Sequence, residues 1–154
     1  MADQRTLTFV KPDGVQRRLV GEIVGRFERR GLKILGLKMM RISKELAERH
    51  YGEHKGKKFY DGLVGFVTSG PIVALCVEGN EAIQVVRAMM GKTFSYESAP
   101  GTIRGDYGID VGRNIIHGSD SVESAAREIA LWFSEAEQVA WAPASTPWIY
   151  EKRN

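Results

Sequence analysis

The sequence predicts an α/β (α+β) sandwich of the ferredoxin-like βαββαβ type: a four-stranded, mainly antiparallel sheet with helices packed on one face. Two observations support this prediction. Short β-prone apolar runs alternate with segments whose apolar residues recur at three- and four-residue steps, in the order β-α-β-(short helices)-β-α-β-α. The length of 154 residues suits one domain, residues 1–154. Within it, we expect residues 135–154 to form a C-terminal tail that wraps the surface or a neighbouring subunit.

Each element has its own local pattern. Strands are predicted at Leu7–Lys11, Leu32–Ile42, Pro71–Glu78 and Asn114–His117. Helices are predicted at Val15–Arg30, after Ser43, and at Phe59–Val67, Asn80–Met90 and Ser121–Ser134. Gly31 is placed to end the first helix and Ser43 to cap the second. Phe94–Gly112 shows little regular pattern, and so long a loop in a compact domain is commonly functional.

Composition excludes several classes of protein. Hydrophobic residues make up 43% of the chain and charged residues 27%, as in globular rather than disordered proteins. No apolar run approaches the ~20 residues of a membrane helix, and Met1–Arg5 lacks the apolar block of a signal peptide. The single cysteine, Cys76, rules out an intrachain disulfide, and its apolar neighbours predict a buried, inert thiol. We therefore expect a cytoplasmic protein.

Charge is distributed unevenly along the chain. Residues 1–60 hold 15 lysines and arginines against 7 acidic residues, whereas the remainder holds 7 against 12. A basic half fits either a nucleic-acid partner or solvated helix faces with a few phosphate contacts, and the lack of long basic runs favours the second. Gly65–Val67 matches a fragment of an RNA-recognition motif without its flanking aromatics. Nucleic-acid binding stays open as a secondary activity.

Two further motif matches are weak. His50 and His54, with Glu53 between them, have the H-x-x-E-H spacing of an inverted zinc-protease motif, but a glycine interrupts the helix and no third ligand is apparent. Gly91-Lys92-Thr93 resembles the end of a P-loop, but Val86 stands where that motif needs a glycine. The sequence therefore favours neither a protein-bound metal nor a Walker-type nucleotide site.

His117 is the candidate reactive group. It ends the last predicted strand beside a helix start, where unpaired N–H groups attract phosphate, and neutral imidazole is a good nucleophile. Glu128 flanks the apolar stripe of the following helix. If that face packs on the strand, the carboxylate can accept a hydrogen bond from one ring nitrogen and leave the other as a free lone pair. A surface or capping histidine and a solvent-facing glutamate are the alternatives.

Four segments spread over nearly the whole chain resemble the nucleoside diphosphate kinase family: FVKPDGVQR, SGPIVAL, PGTIRGDYG and NIIHGSDSVESA. The resemblance implies an enzyme that moves the terminal phosphate of a nucleoside triphosphate to a nucleoside diphosphate in a ping-pong cycle, with His117 carrying the phosphate on Nδ1. It also implies a homo-oligomer, and the residues after WIYE favour a hexamer over a tetramer. Phe94–Glu97 departs from the family's common sequence, which puts these subunit contacts in question.

The resemblance implies a role for each catalytic residue. Glu128 matches the carboxylate that orients the imidazole, with Ser119 beside it. Tyr51 matches a residue near the transferred phosphate. Lys11 and Asn114 match the groups on the ribose 3′-OH and the adjoining phosphate oxygens. A structural subunit that has lost catalysis is an alternative, but such a chain would not need this complete set.

The remaining matches concern the nucleotide. Arg87, Thr93 and Arg104 occupy the family's phosphate-binding positions, and cations there suit the equatorial oxygens of a transferring phosphoryl group. Phe59 and Val111 match the pair that sandwiches the base, and a stacking clamp without base-edge hydrogen bonds accepts any nucleobase. Mg²⁺ is expected on the nucleotide phosphates rather than on protein ligands.

Overall fold

A computed structural model describes residues 3–152, in which four strands form one antiparallel sheet in the order β2-β3-β1-β4. The strands are β1 (Gln4–Val10), β2 (Lys33–Arg41), β3 (Pro71–Gly79) and β4 (Ile116–Gly118). β1 is central and pairs with both β3 and β4, and β3 also pairs with β2. This strand order confirms the predicted ferredoxin-like fold. None of the helices in the described range is long and apolar enough to cross a bilayer.

The helices within residues 3–152 are α1 (Pro12–Gln16), α2 (Val20–Arg30), α3 (Lys44–His50), α4 (Tyr60–Val67), α5 (Ala82–Met90), α6 (Ile103–Tyr107), α7 (Val122–Trp132) and α8 (Thr146–Ile149). Their ends follow the local chemistry. The Ser43 hydroxyl accepts the Leu46 backbone N–H at 3.1 Å, which confirms the predicted cap of α3. Gly31 ends α2 in the left-handed region with φ 101, as predicted.

Several of the predicted element boundaries are wrong. β1 begins at Gln4, three residues before the predicted start, and ends at Val10 rather than Lys11. The helix predicted over Val15–Arg30 is two helices. α1 begins earlier, at Pro12, and Arg18 interrupts the helical conformation with φ 59 before α2 begins. Phe94–Gly112 contains α6, which was missed because five residues are too few to show a helical apolar stripe. β4 begins two residues later than predicted, since Ile115 has φ 76 and cannot continue a strand.

The kink at Ile115 is held from both sides. Its backbone N–H donates to Asp13 Oδ2 at 3.0 Å, and its carbonyl oxygen accepts the Lys11 N–H at 2.7 Å. The preceding residue, Asn114, is thereby fixed beside Lys11 at the end of β1. A left-handed β-branched residue costs free energy, so these hydrogen bonds indicate a backbone shape that the fold maintains against local preference.

Apolar side chains pack on both faces of the sheet, so the prediction of helices on one face only is wrong. One face, with Leu7 and Phe9 of β1, is covered by α3, α4 and α7. The other face, with Val10 of β1, is covered by α2, α5 and α6. Alternate side chains of a strand point to opposite faces, so a central strand with two apolar faces needs two helical layers. Cys76 is fully buried, and burial raises the pKa of its thiol to about 11, as expected for an inert cysteine.

The C-terminal tail lies along β2 of its own chain over the described residues. The Val139 N–H donates to the Leu35 carbonyl at 2.8 Å, and the Trp141 indole donates to the Ile34 carbonyl at 2.9 Å. Farther on, the Tyr150 hydroxyl accepts the Asn80 N–H at 3.3 Å. These hydrogen bonds hold the described part of the tail against β2 and the end of β3 of its own chain.

Substituting Gly105→Ala should destabilise the fold. A Cβ at Gly105 would lie 1.9 Å from the Ala99 carbonyl oxygen, a backbone atom that cannot move aside alone. We expect a loss of about 1–3 kcal/mol in the free energy of unfolding, as for other overpacked sites. The matched control is Gly21→Ala in α2, where a Cβ meets nothing within 4 Å and should stabilise by up to about 1 kcal/mol. Urea unfolding measures both, and equal midpoints would contradict the prediction.

Candidate active site

A cavity of about 860 Å³ opens where β1 ends and β4 begins, a size that suits a small-molecule ligand. Its wall contains all of the sequence-predicted site residues except one: Lys11, Tyr51, Phe59, Arg87, Thr93, Arg104, Val111, Asn114, His117 and Glu128. The exception, Ser119, contacts Glu128 and is buried at 1% exposure. The structure therefore brings together residues that lie more than 100 positions apart in the chain.

His117 of β4 and Glu128 of α7 form a direct contact. Imidazole Nε2 lies 2.5 Å from Glu128 Oε1, and the Ser119 hydroxyl lies 3.2 Å from the same oxygen. The Phe9 ring stacks on the imidazole, with centroids 4.9 Å apart. Helix α7 begins at an N-cap formed by Ser121, about two turns before Glu128. The contact predicted from sequence is confirmed, and it leaves Nδ1 as the ring nitrogen available for chemistry.

The electrostatic surroundings keep the His117 imidazole neutral. Burial, together with the positive charges of Lys11, Arg87 and Arg104, holds the pKa of His117 well below its usual value. At pH 7 the ring therefore carries one proton, which Nε2 donates to the Glu128 carboxylate. Neutral imidazole with a free lone pair is the nucleophilic form of histidine.

Three cations surround His117, and none forms an ion pair with a carboxylate in the described part of the chain. Lys11 Nζ donates to Asn114 Oδ1 at 2.8 Å. Arg104 donates to four backbone carbonyls, the shortest bonds being to Ile116 O at 2.6 Å and Asn114 O at 3.0 Å, and Arg87 donates to the Gly118 carbonyl at 3.3 Å. Neutral acceptors orient these groups without cancelling their charge, so the cavity attracts anions.

Burial lowers the pKa of two of these cations. Lys11 is 7% exposed, and burial, with the nearby charge of Arg104, lowers its pKa to about 8. Arg104 is 4% exposed, and burial with the charge of Arg87 lowers its pKa to about 10. A phosphate placed among them would restore these pKa values, because an adjacent anion favours the charged form.

Tyr51 contributes a buried hydroxyl to the site. Its hydroxyl is buried and has no hydrogen-bond partner among residues 3–152, although the side chain lines the cavity. Burial raises the pKa of this phenol, so it stays protonated and can donate. An unsatisfied buried donor costs about 1–3 kcal/mol, which a bound oxygen ligand would recover.

The outer part of the cavity is apolar. Phe59 and Val111 line it and are 53% and 40% exposed, which suits contact with a flat ring. Several other residues of the cavity wall were not predicted: Leu63, Phe66, Arg113 and Asp120. Leu63 and Phe66 lie in the predicted helix α4, but its apolar pattern does not show which side chains face a cavity. Arg113 and Asp120 lie in loops, which have no periodic pattern. The guanidinium of Arg113 lies over the Phe66 ring, 4.0 Å from its centroid.

The two histidines of the H-x-x-E-H motif also reach the cavity wall, but they do not form a zinc-protease site. Helix α3 ends at His50, and His54 lies in a separate 3-10 turn, Gly52–His54, so no single helix face carries both rings. The one cluster of potential metal ligands found among residues 3–152 instead joins His50 to His117 and Glu128.

Comparison with known proteins agrees with the geometry of this cavity. A family model described as nucleoside diphosphate kinase matches residues 4–138. The chain belongs to this family. Proteins named nucleoside diphosphate kinase from Carboxydothermus hydrogenoformans and Cyanothece sp. are 64% and 62% identical over 148 residues, covering 96% of this chain and 99% of each relative.

Solved structures of nucleoside diphosphate kinases superpose closely. The halophilic enzyme from Halobacterium salinarum, in complex with CDP, has a TM-score of 0.95 at 54% identity, covering 97% of this chain and 99% of that one. A nucleoside diphosphate kinase family protein from Babesia bovis has a TM-score of 0.93 at 47% identity, covering 96% and 99%. The protein is therefore a nucleotide-binding enzyme that transfers phosphate between nucleoside di- and triphosphates, and the resemblance found in its sequence is confirmed.

The buried charge of Lys11 should cost stability, and Lys11→Met should recover it. The pKa is about 8 in the folded chain and 10.5 in the unfolded one, so the folded charge costs about 3 kcal/mol. Loss of the bond to Asn114 offsets about 1 kcal/mol, leaving a net gain of about 2 kcal/mol. The unfolded chain binds more protons between these pH values, so the gain is full below pH 8 and shrinks as the pH rises toward 10.5.

Urea unfolding at pH 7 and pH 10 measures this gain. The matched control is Lys58→Met, an exposed lysine outside the cavity, for which we expect no such pH-dependent difference. A Lys11→Met gain that is equal at the two pH values would contradict the assignment.

Proposed function

We propose that the enzyme transfers the terminal phosphate of a nucleoside triphosphate to a nucleoside diphosphate by a ping-pong mechanism through a phosphohistidine on His117. One observation carries the proposal: a neutral imidazole, bound through Nε2 to Glu128, lies among three cations that lack carboxylate partners. A bound triphosphate would place its negative charge in this cationic part of the cavity.

In the first half-reaction, the Nδ1 lone pair of His117 attacks the terminal phosphorus. The bond to the bridging oxygen breaks, and the diphosphate leaves with the bonding electrons. The imidazole retains its proton on Nε2, where Glu128 stabilises the positive charge that develops on the ring. A second diphosphate then attacks the phosphohistidine, and the lone pair returns to Nδ1.

The remaining wall residues stabilise and position the phosphates. Arg87 and Arg104 bind the non-bridging oxygens, on which charge is spread in the transition state, and Thr93 donates its hydroxyl. Tyr51 donates to the transferred phosphate, which satisfies its buried hydroxyl. Lys11 binds the adjoining phosphate oxygens. Together with Asn114, to which it is hydrogen-bonded, it also binds the ribose 3′-OH.

Base recognition rests on shape. Phe59 and Val111 enclose the base from two sides, and stacking is possible with any nucleobase because each has a π-face. Little specificity between bases follows, since the proposed clamp uses apolar side chains.

Magnesium is expected to enter with the nucleotide and to be held by its phosphate oxygens. The cluster of His50, His117 and Glu128 offers two nitrogens and one oxygen, whereas Mg²⁺ takes oxygen ligands in octahedral geometry. The protein residues therefore do not fit a dedicated magnesium site, and no step above uses one.

We further propose a homo-oligomer, with a hexamer favoured over a tetramer. Large apolar side chains stay exposed on the described chain, including Met39 at 63% and Ile109 at 82%, as expected of surfaces that bury on assembly. A hexamer would have six times the mass of the 17.2 kDa chain in solution, as measured by light scattering. A cytoplasmic location fits the single buried thiol, Cys76.

Substituting His117→Ala should abolish both nucleotide turnover and labelling by [γ-³²P]ATP. The wild-type label should be acid-labile and base-stable, as expected of a phosphorus–nitrogen bond. His54→Ala is the matched control, because it removes a different histidine and should retain the label. A label that persists on the His117→Ala variant would exclude the proposed intermediate.

Substituting Phe59→Ala should weaken binding of every nucleotide. Loss of one stacking surface costs about 1–3 kcal/mol, so KM should rise roughly 10- to 100-fold with kcat largely retained. The test compares ADP, GDP, CDP and UDP as acceptors, and purines should lose most because they stack over a larger area. A loss confined to one base would instead indicate a specific base contact.

A further inference from the structure

His50 is a buried histidine of the cavity wall that has no role in the proposed transfer of phosphate through His117. It lies at the end of α3 and is 3% exposed. Its ring packs edge-on against His117, with centroids 4.6 Å apart and an angle of 77° between the planes. A buried ring this close to the reacting imidazole affects its position and its charge.

Trp132 determines which nitrogen of His50 carries the proton. The indole Nε1–H donates to His50 Nδ1 at 3.0 Å, inside the core. An indole nitrogen can only donate, so Nδ1 must supply a lone pair. A neutral His50 then carries its single proton on Nε2, which lies 3.7 Å from Glu128 Oε1.

This tautomer argues against a metal ion at the cluster of His50, His117 and Glu128. Their potential ligand atoms lie within 4.8 Å of one another, a spacing that could suit a bound ion. A metal ligand needs a lone pair, however, and the Nε2 lone pair of His50 is replaced by a proton for as long as Trp132 donates to Nδ1. The cluster is therefore built to direct N–H groups at a carboxylate.

We propose that His50 is a positioning residue for phosphoryl transfer: a neutral imidazole, fixed as its Nε2–H tautomer by Trp132, that keeps Glu128 ionised and directed at His117. This inference rests on the proposed function of His117. Three polar groups converge on Glu128 Oε1, at 2.5 Å from His117, 3.2 Å from Ser119 and 3.7 Å from His50. His50 adds a favourable dipole without adding a positive charge.

Neutrality of His50 matters because His117 becomes cationic as it attacks phosphorus. A second imidazolium 4.6 Å away would oppose that charge. Burial, followed by the influence of His117, lowers the pKa of His50 to about 3, which agrees with a ring that stays neutral through the working pH range. The other titratable or charged groups around this pair are Lys11, Tyr51, Arg87, Arg104, Asp120, Arg127 and Glu128.

Two variants that differ by one methylene test the role of His50. His50→Gln keeps an N–H near the position of Nε2. His50→Asn can keep an acceptor near Nδ1, but its amide nitrogen is one methylene closer to the backbone and falls short of Glu128. The measurement is the single-turnover rate of phosphohistidine formation with [γ-³²P]ATP as a function of pH. His50→Asn should slow this step roughly 10- to 100-fold, the range seen when a group that orients a ligand is removed.

The pH profile separates positioning from a structural role. Without the His50 N–H, protonation of Glu128 becomes easier, so the acid limb of the rate profile should move to higher pH in His50→Asn. His50→Gln should remain near the wild-type rate and limb. Trp132→Phe keeps an aromatic ring but removes the indole N–H, so His50 Nδ1 can take a proton. The resulting imidazolium would pair with Glu128 and oppose the positive charge that develops on His117. The acid limb of the rate profile of this variant should therefore also move to higher pH.

Equal slowing of His50→Asn and His50→Gln with unmoved limbs would overturn the proposal and assign His50 a structural role, and so would wild-type rates in both. If His50→Asn fails to fold, Trp132→Phe decides, and an unmoved limb overturns the proposal. Failure of the proposed function is distinguishable, because the wild-type enzyme would then form no phosphohistidine at all.

Discussion

The site depends on three buried or half-buried cations that form no ion pair with a carboxylate in the described part of the chain. Lys11, Arg87 and Arg104 are held by an amide oxygen and by backbone carbonyls, which fix their direction and leave their charge intact. This arrangement opposes folding, because buried charge is costly without an opposite charge. The same positive charge, together with burial, keeps His117 neutral and would attract phosphate, so the features that support the proposed chemistry also weaken the free protein.

The sheet makes this concentration of charge possible. Phe9 and His117 are directly paired across β1 and β4, so the imidazole lies beside the strand that ends at Val10, one residue before Lys11. The kink at Ile115 then turns Asn114 back toward Lys11, and its carbonyl also receives Arg104. One irregular residue therefore connects the last strand to two of the three cations, which accounts for a strained backbone at this point.

Much of the fold and of the site could be predicted from sequence, for identifiable reasons. Strands and long helices have apolar periodicity. Contact between His117 and Glu128 could be predicted because His117 precedes a turn and Glu128 flanks the apolar stripe of the helix that follows this turn. Helix α6 and the break at Arg18 could not be predicted, since short helices and single left-handed residues lack a periodic signal. His50 was noticed for the wrong partner: local spacing paired it with His54, whereas tertiary packing pairs it with Trp132 and Glu128.

The proposed use of one cavity for both halves of the reaction has a thermodynamic consequence. The same cations and the same apolar clamp would receive the incoming triphosphate and the incoming diphosphate, so these residues would not distinguish a donor from an acceptor. The net direction of phosphate transfer would then be set by the cellular ratios of triphosphate to diphosphate. Such a catalyst equalises the phosphorylation state of different nucleotide pools and consumes no net free energy once they are level.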